Sequence, residues 1–361
     1  MNRMDSYHSM NESNYITPNT NARITVVANG VFFFVGIIGN GLVILAVISS
    51  KKLQTSTNAF IVSLAVTDVL TSLTHPIYIV VKCINFYTPR LETVCQIVTP
   101  IANTSVCCSF LTLAVIAINR YTLIASPHRI YPALFRAKMN ILWITLLWVI
   151  SASVVILPPY VFDFGKFGFG RDEHNCISVP EHPSTKLYAL LVVAVFYPLP
   201  LITIVVCYVG IFIRLFAHNR RLNANRCHLR TQRTSPGRFN TTNDSFDIET
   251  RNGKKTHAQS FITPVQIQVT KNMFIIFIAL VVCFTPYTVC SILQECAIEV
   301  YTRTIASANG IINPIIYGFN HPVFREVFTA LIKRKDVPQP SFIWRSIKKK
   351  RVMEQTGNSS L

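Results

Sequence analysis

The sequence predicts an all-α membrane protein, a seven-transmembrane helix bundle with an amphipathic eighth helix. Three observations carry that expectation. Half of the 361 residues are hydrophobic and only 14% are charged, with a mean hydropathy of +0.39, whereas soluble domains carry about 25% charged residues. Seven segments are apolar enough to cross a bilayer core about 30 Å thick, which takes roughly 20 residues of helix. The basic residues between those segments fall mainly on one side.

The spans read approximately as residues 24–48, 59–82, 94–124, 138–158, 187–213, 271–296 and 300–318. The seventh is the weakest, because Arg303, Asn309 and Asn313 interrupt it. Together they make one cooperative domain over residues 24–332, between an extracellular tail, 1–23, and a cytoplasmic tail, 333–361. With the N-terminus outside, 26 of the 34 Lys and Arg and 6 of the 16 acids lie inside, so the inner surface carries +20 and the outer −1. Positive loops stay cytoplasmic during insertion, which fixes a multi-pass orientation with the C-terminus inside. The net charge of +18 is therefore a topology signal and an anchor for anionic membrane lipids, and not a nucleic-acid surface.

Residues 1–23 are polar and show no cleavable signal, so the first span is expected to act as its own insertion signal. Asn11-Glu12-Ser13 is a glycosylation sequon on the outer side; those at Asn240 and Asn358 fall inside. Residues 215–262, between spans five and six, and the tail containing Lys348-Lys349-Lys350-Arg351 are polar and expected to be disordered. The terminal Ser359-Ser360-Leu361 suits a sheet-edge peptide groove. Within Phe319–Ile332, Phe324, Val327, Phe328 and Leu331 recur at helical spacing, which predicts the interfacial eighth helix. No cysteine follows Cys296 to carry a palmitoyl anchor.

Polar groups at mid-membrane are costly and usually functional or paired. Here they form an ordered series. Span one has Gly39-Asn40-Gly41, span two Ser63-Leu64-Ala65-Val66-Thr67-Asp68, and span three Asn119-Arg120-Tyr121 with Pro127 beyond it. Span four carries Trp148 and Pro158-Pro159, and span five Pro200 and Tyr208. Span six has Cys283-Phe284-Thr285-Pro286, and span seven Asn313-Pro314-Ile315-Ile316-Tyr317. With each element on its own span and in this order, residues 24–332 resemble the rhodopsin-like (class A) G-protein-coupled receptor family.

The resemblance implies roles for individual residues. Asp68, with Ser109, Asn309 and Asn313, matches a site where the family holds an allosteric sodium ion; no other cofactor is expected. The residues by themselves also admit a protonated or hydrogen-bonded Asp68 with no ion. Asn119, Arg120, Tyr121, Tyr208, Phe284, Pro286, Asn313, Pro314 and Tyr317 match the activation switch. Asn119 replaces the acid that usually restrains the arginine, and Gln266 stands where a second acid often faces it, so elevated basal signalling is an expectation unless hydrogen bonds from Asn119 do the same job. Phe284 stands where the family usually has tryptophan. Cys95 and Cys176 match the family's outer disulfide, and Cys83 and Cys296 also fall near the outer surface and could pair.

The family's ligand pocket maps to Ala102, Asn103, Val106, Phe196, Tyr287, Ser291, Arg303 and Ser307. Ala102 stands where amine receptors have an aspartate, which disfavours a biogenic amine. Ser307 replaces the opsin lysine, and a hydroxyl forms no Schiff base. Asn119-Arg120-Tyr121 resembles melatonin receptors and related invertebrate orphan receptors. Phe196, Phe284 and Pro314 depart from the melatonin pattern. His75, Lys82 and Arg303 suggest an acidic ligand, unless Glu299, one turn away, pairs with Arg303.

The expected function is a plasma-membrane receptor that converts binding of an extracellular small molecule or short peptide into heterotrimeric G-protein activation. Receptor kinase and arrestin are expected partners. No paired aspartates, metal-ligand cluster or activated nucleophile suggests an enzyme. The alternative is a sodium-coupled transporter using Asp68, which the lack of an internal repeat disfavours.

Overall fold

The structure is a computed structural model that describes residues 20–83, 88–170, 175–179, 181–233, 264–293 and 298–333. The helices are α1 (Thr20–Ser49), α2 (Ser56–Cys83), α3 (Pro89–Ala125), α4 (Ile130–Leu134), α5 (Ala137–Val161), α6 (Thr185–Phe196), α7 (Pro198–Arg233), α8 (Pro264–Leu293), α9 (Glu299–Ser307), α10 (Asn309–Asn320) and α11 (Pro322–Ile332). Strands β1 (Phe167–Gly170) and β2 (Asn175–Ser178) form an antiparallel hairpin.

Among the described residues, six helical stretches are each long and apolar enough to span a bilayer: Ala22–Ser49, Ser56–Cys83, Pro89–Ala125, Ala137–Val161, Thr185–Ala217 and Gln266–Leu293. The expected seventh span is α9 followed by α10. It is two helices because the Ala308 N–H turns back to Ile305 and Ala306 carbonyls, a tighter turn than an α-helix makes. The fifth span is likewise α6 and α7, separated at Tyr197, after which Pro198 and Pro200 supply no N–H to the preceding turn.

Large side chains such as Phe34, Ile38, Val206, Phe212 and Val282 face outward, the arrangement that lipid tails accept. Lipid gives no hydrophobic reward for joining helices, so close approach and polar contacts must do it. A Cβ on Gly39 would stand 2.8 Å from the Pro314 ring, and one on Gly36 would stand 2.9 Å from the Ser72 Cβ. Between them Asn40 donates its amide to the Gly36 carbonyl at 3.0 Å and the Gly310 carbonyl at 2.8 Å. Helix α1 is thereby fixed against both α2 and α10. Helix α3 runs through the centre, with Cys108, Thr112 and Asn119 wholly buried.

On the inner side, Phe324 and Val327 of α11 are wholly buried, with Phe328 and Leu331 packed on the same core. The predicted eighth helix is present. His321 caps it by accepting from the Phe324 N–H at 3.4 Å, and Phe324 stacks on Tyr317 with centroids 5.2 Å apart. Burial and the nearby Arg120 charge push the His321 imidazole down to about 4.

Two expectations are corrected. Helix α7 continues to Arg233, so the loop expected to be disordered from residue 215 begins as helix. Propagating an existing helix costs little per residue, which a lack of apolar residues does not prevent. Cys83 is exposed and unpaired, so it does not pair with Cys296. Cys290 is disulfide-bonded instead. Asn11, Cys296, residues 234–262 and the tail beyond Lys333 lie outside the described residues.

Candidate ligand cavity and polar core

Above the bundle centre lies a cavity of about 530 Å3. Its lid is the β-hairpin, held to α3 by two ties. Cys176 is disulfide-bonded to Cys95, as the sequence resemblance implied. One helical turn before Cys95, Glu92 accepts the Phe169 N–H at 2.9 Å and the Gln96 amide at 3.2 Å. Gly168 lies against this carboxylate; a Cβ there would run into Glu92 and stand 2.9 Å from Val179.

Seven of the eight expected pocket positions line the cavity: Ala102, Asn103, Val106, Tyr287, Ser291, Arg303 and Ser307. Phe196 does not. It is buried with Cys107, Val155, Phe167 and Tyr188, at the edge of the cavity-lining stripe of Lys186, Ala189, Leu190 and Val193 and outside it. One residue on, Tyr197 takes the inward direction. Its hydroxyl hydrogen-bonds Thr285, and its ring meets Phe110 edge-on at 5.9 Å.

Phe110 is the main residue that sequence reasoning missed. It lines the cavity and meets Phe284 edge-to-face with centroids 4.8 Å apart. Helical spacing could have found it, since Ala102, Val106 and Phe110 lie on one face. The two rings form an aromatic floor, with Phe284 two residues before Pro286.

Beside this floor Asp68 accepts from the Asn313 amide at 2.8 Å. Ser109 and Asn309 line the same cavity, so all four predicted residues come together. Their engagement differs from the expectation. The Ser109 hydroxyl is 2.7 Å from the Thr67 hydroxyl and 3.0 Å from the Ser105 carbonyl. The side-chain oxygens of Asn309 and Asn313 are buried with no hydrogen-bond donor. A carboxylate beside two unsatisfied amide oxygens is a donor set suited to a small hard cation or to water.

From Asn313 the polar path continues inward along α10 to Tyr317, which is 1% exposed with an unpartnered hydroxyl. Tyr131, Tyr208 and Tyr317 all approach near enough to feel the Arg120 charge. Asn119 accepts from the Thr57 hydroxyl at 2.6 Å, while its amide NH2 and the Arg120 Nε have no acceptor. Tyr121 packs under the Arg214 guanidinium, 5.5 Å from its ring centre. Thr57 and Asn40 were not among the expected site residues; a short polar side chain gives no sequence sign of its distant partner.

Residues 39–317 match the family described as 7 transmembrane receptor (rhodopsin family). The chain belongs to that family. The receptor is 24% identical to Protein trapped in endoderm-1 of Drosophila melanogaster, over 90% of this chain and 81% of that protein. It is also 24% identical to Melatonin receptor type 1B-B of Danio rerio, over 88% of this chain and 84% of that one. The fold matches the crystal structure of squid rhodopsin with a TM-score of 0.68 and 20% identity, covering 88% of this chain and 86% of that chain. The family is one of receptors, not enzymes, and nothing in these likenesses supports the transporter alternative.

Proposed function

We propose that this receptor sits in the plasma membrane with its N-terminus outside and passes ligand binding in its outer cavity to a heterotrimeric G protein. The observation that carries the reading is the run of buried polar side chains from the cavity floor toward the inner face, Asp68 bonded to Asn313, then Tyr317 one turn on and Arg120 within reach of its charge. A ligand resting on Phe110 and Phe284 bears on α8 just before Pro286. Proline leaves the turn before it short of a hydrogen bond, so the inner part of α8 can swing while its outer part stays packed. The ligand needs only to favour the swung state over the resting one, because equal affinity for both shifts nothing.

Asp68, Asn309 and Asn313 would hold a sodium ion, with Ser109 beside them. The ion would neutralise the buried carboxylate and satisfy the two amide oxygens. Ala102 gives an ammonium no carboxylate partner at that turn of α3, which supports a ligand other than a biogenic amine. Receptor kinase and arrestin are the expected partners of the Ser- and Thr-containing inner segments, and anionic lipids of the basic ones.

The test is nucleotide exchange on purified Gα subunits of each class with receptor in lipid nanodiscs. Exchange above the receptor-free rate, abolished by Arg120→Ala at equal receptor content, is expected. No acceleration of any Gα, with or without a ligand panel, would sink the proposal.

A further inference from the structure

We infer that the ligand carries an anionic head, of carboxylate type, on an apolar body, with the head on the α2 and α9 side of the cavity. This deepens the receptor reading and rests on it. Three cationic side chains line the cavity, Lys82, Lys186 and Arg303, against a single carboxylate, Asp68, which lies at the floor and is engaged by Asn313. Above that floor, the described lining holds no acid.

The cations are not evenly placed. Lys82 is in the last turn of α2 and Arg303 one turn into α9, and Tyr78, also a lining residue, presents a neutral phenol near Arg303. Lys186 stands alone on α6 and is exposed. Two cations and a phenol hydroxyl on one wall make the stronger anion site. The guanidinium offers five N–H donors, so it can take a ligand oxygen beside a partner within the protein.

The same wall has polar fittings below the cations. Asn29 donates its amide to the Thr25 carbonyl at 2.9 Å, which turns its oxygen toward His75 Nδ1 at 2.8 Å. That oxygen can only accept, so His75 carries its proton on Nδ1. Val106, Phe110, Phe284 and Tyr287 give the cavity an apolar stretch, among polar neighbours such as Asn103 and Ser291, where a ligand body would lie. A head at the rim and a body over the Phe110–Phe284 pair would let one molecule touch both the charged wall and the α8 segment before Pro286.

The probe set is hydrocinnamate, phenylpropanol and phenylpropylamine, which share a ring and chain and differ in head charge. Affinities are measured by saturation-transfer NMR on receptor in nanodiscs of neutral phosphatidylcholine. Hydrocinnamate is expected to bind about tenfold more tightly than the alcohol, the ratio one charge-assisted hydrogen bond supports, with the amine weakest. Lys82→Gln and Arg303→Gln should each reduce that preference, Arg303→Lys should retain most of it, and Lys186→Gln should leave it unchanged. Melting temperatures of the variants identify any that fail to fold, and Arg303→Lys keeps the test available in that case. The inference is overturned if the three probes bind alike, if none binds, if the amine binds best, or if the preference follows Lys186. Basal nucleotide exchange on the same nanodiscs without probe reads the receptor assignment separately, so the two can fail independently.

Discussion

Replacing Asn119 by aspartate should lower ligand-independent activity. Asn119 and Arg120 are adjacent on α3 and are 0% and 6% exposed. The Thr57 hydroxyl already satisfies the Asn119 oxygen, while two neighbouring buried donors, the Asn119 NH2 and the Arg120 Nε, have no acceptor. Asn119→Asp changes one atom and leaves the Thr57 bond possible. It removes one orphan donor and supplies an oxygen that the guanidinium can reach. A hydrogen bond to a charged partner is worth about 1.5–3 kcal/mol.

Burying a new carboxylate opposes that gain, at several kcal/mol before the attraction to Arg120 is counted. That cost falls on both conformations wherever the pair stays buried. The pair itself is closed only where Arg120 stays on its own helix. If about 1.4 kcal/mol of difference survives, the active fraction at low occupancy falls tenfold. The assay is GTPγS uptake by Gα with wild-type and variant receptor at equal amounts in nanodiscs, without ligand. Basal exchange unchanged or raised in the variant would refute the idea that the missing acid loosens the resting state.

Three further outcomes follow from the geometry. Gly39→Ala should cost about 1–3 kcal/mol by overpacking against the rigid Pro314 ring, whereas Gly41→Ala, with nothing within 4 Å of its added Cβ, should leave the melting temperature almost unchanged; equal effects would contradict the packing described. Sodium chloride should raise the wild-type melting temperature relative to choline chloride by ligand linkage, and Asp68→Asn should abolish that rise; a sodium effect that persists in the variant rules out this ion site. Acidification should undock α11. The His321 imidazole is held down to about 4 in the fold against about 6.5 when exposed, so the undocked form takes up a proton first, and docking weakens by about 1.4 kcal/mol per pH unit as pH falls from about 6.5 toward 4. Hydrogen exchange of the α11 amides measures this, and His321→Asn, which caps without titrating, should remove the pH slope.

Six of the spans were legible because bilayer thickness sets a length that apolar runs reveal directly. The polar series was legible because each member is expensive in lipid and so stands out against its span. What stayed hidden depended on direction and partner. Ala308 breaks the seventh span without a glycine or proline at that position, since the break lies in hydrogen-bond geometry that alanine does not signal. Phe196 and Tyr197 are adjacent, and the phase of α6 decides which one continues the stripe of Lys186, Leu190 and Val193; both are aromatic, so composition could not choose. Cys83 and Cys290 are alike in sequence terms, and only the fold distinguishes the bonded one. Thr57, Asn40 and Glu92 act through partners 62, 270 and 77 residues away, and spacing along a chain carries no sign of such contacts.

The residues that join the helices are also those that the coupling needs. Asn40 ties α1 to α10 beside Gly39 and Pro314, and three residues along α10 from Gly310 Asn313 holds Asp68. In lipid such polar contacts supply part of the helix association that hydrophobic burial supplies in water. A change in this core therefore alters stability and the balance of conformations together, and activity alone cannot separate the two. Pairing each exchange measurement with a melting temperature does separate them. A residue that only holds helices together loses both in proportion. A residue that biases the resting state, as argued for Asn119, shifts exchange with little or opposite change in stability.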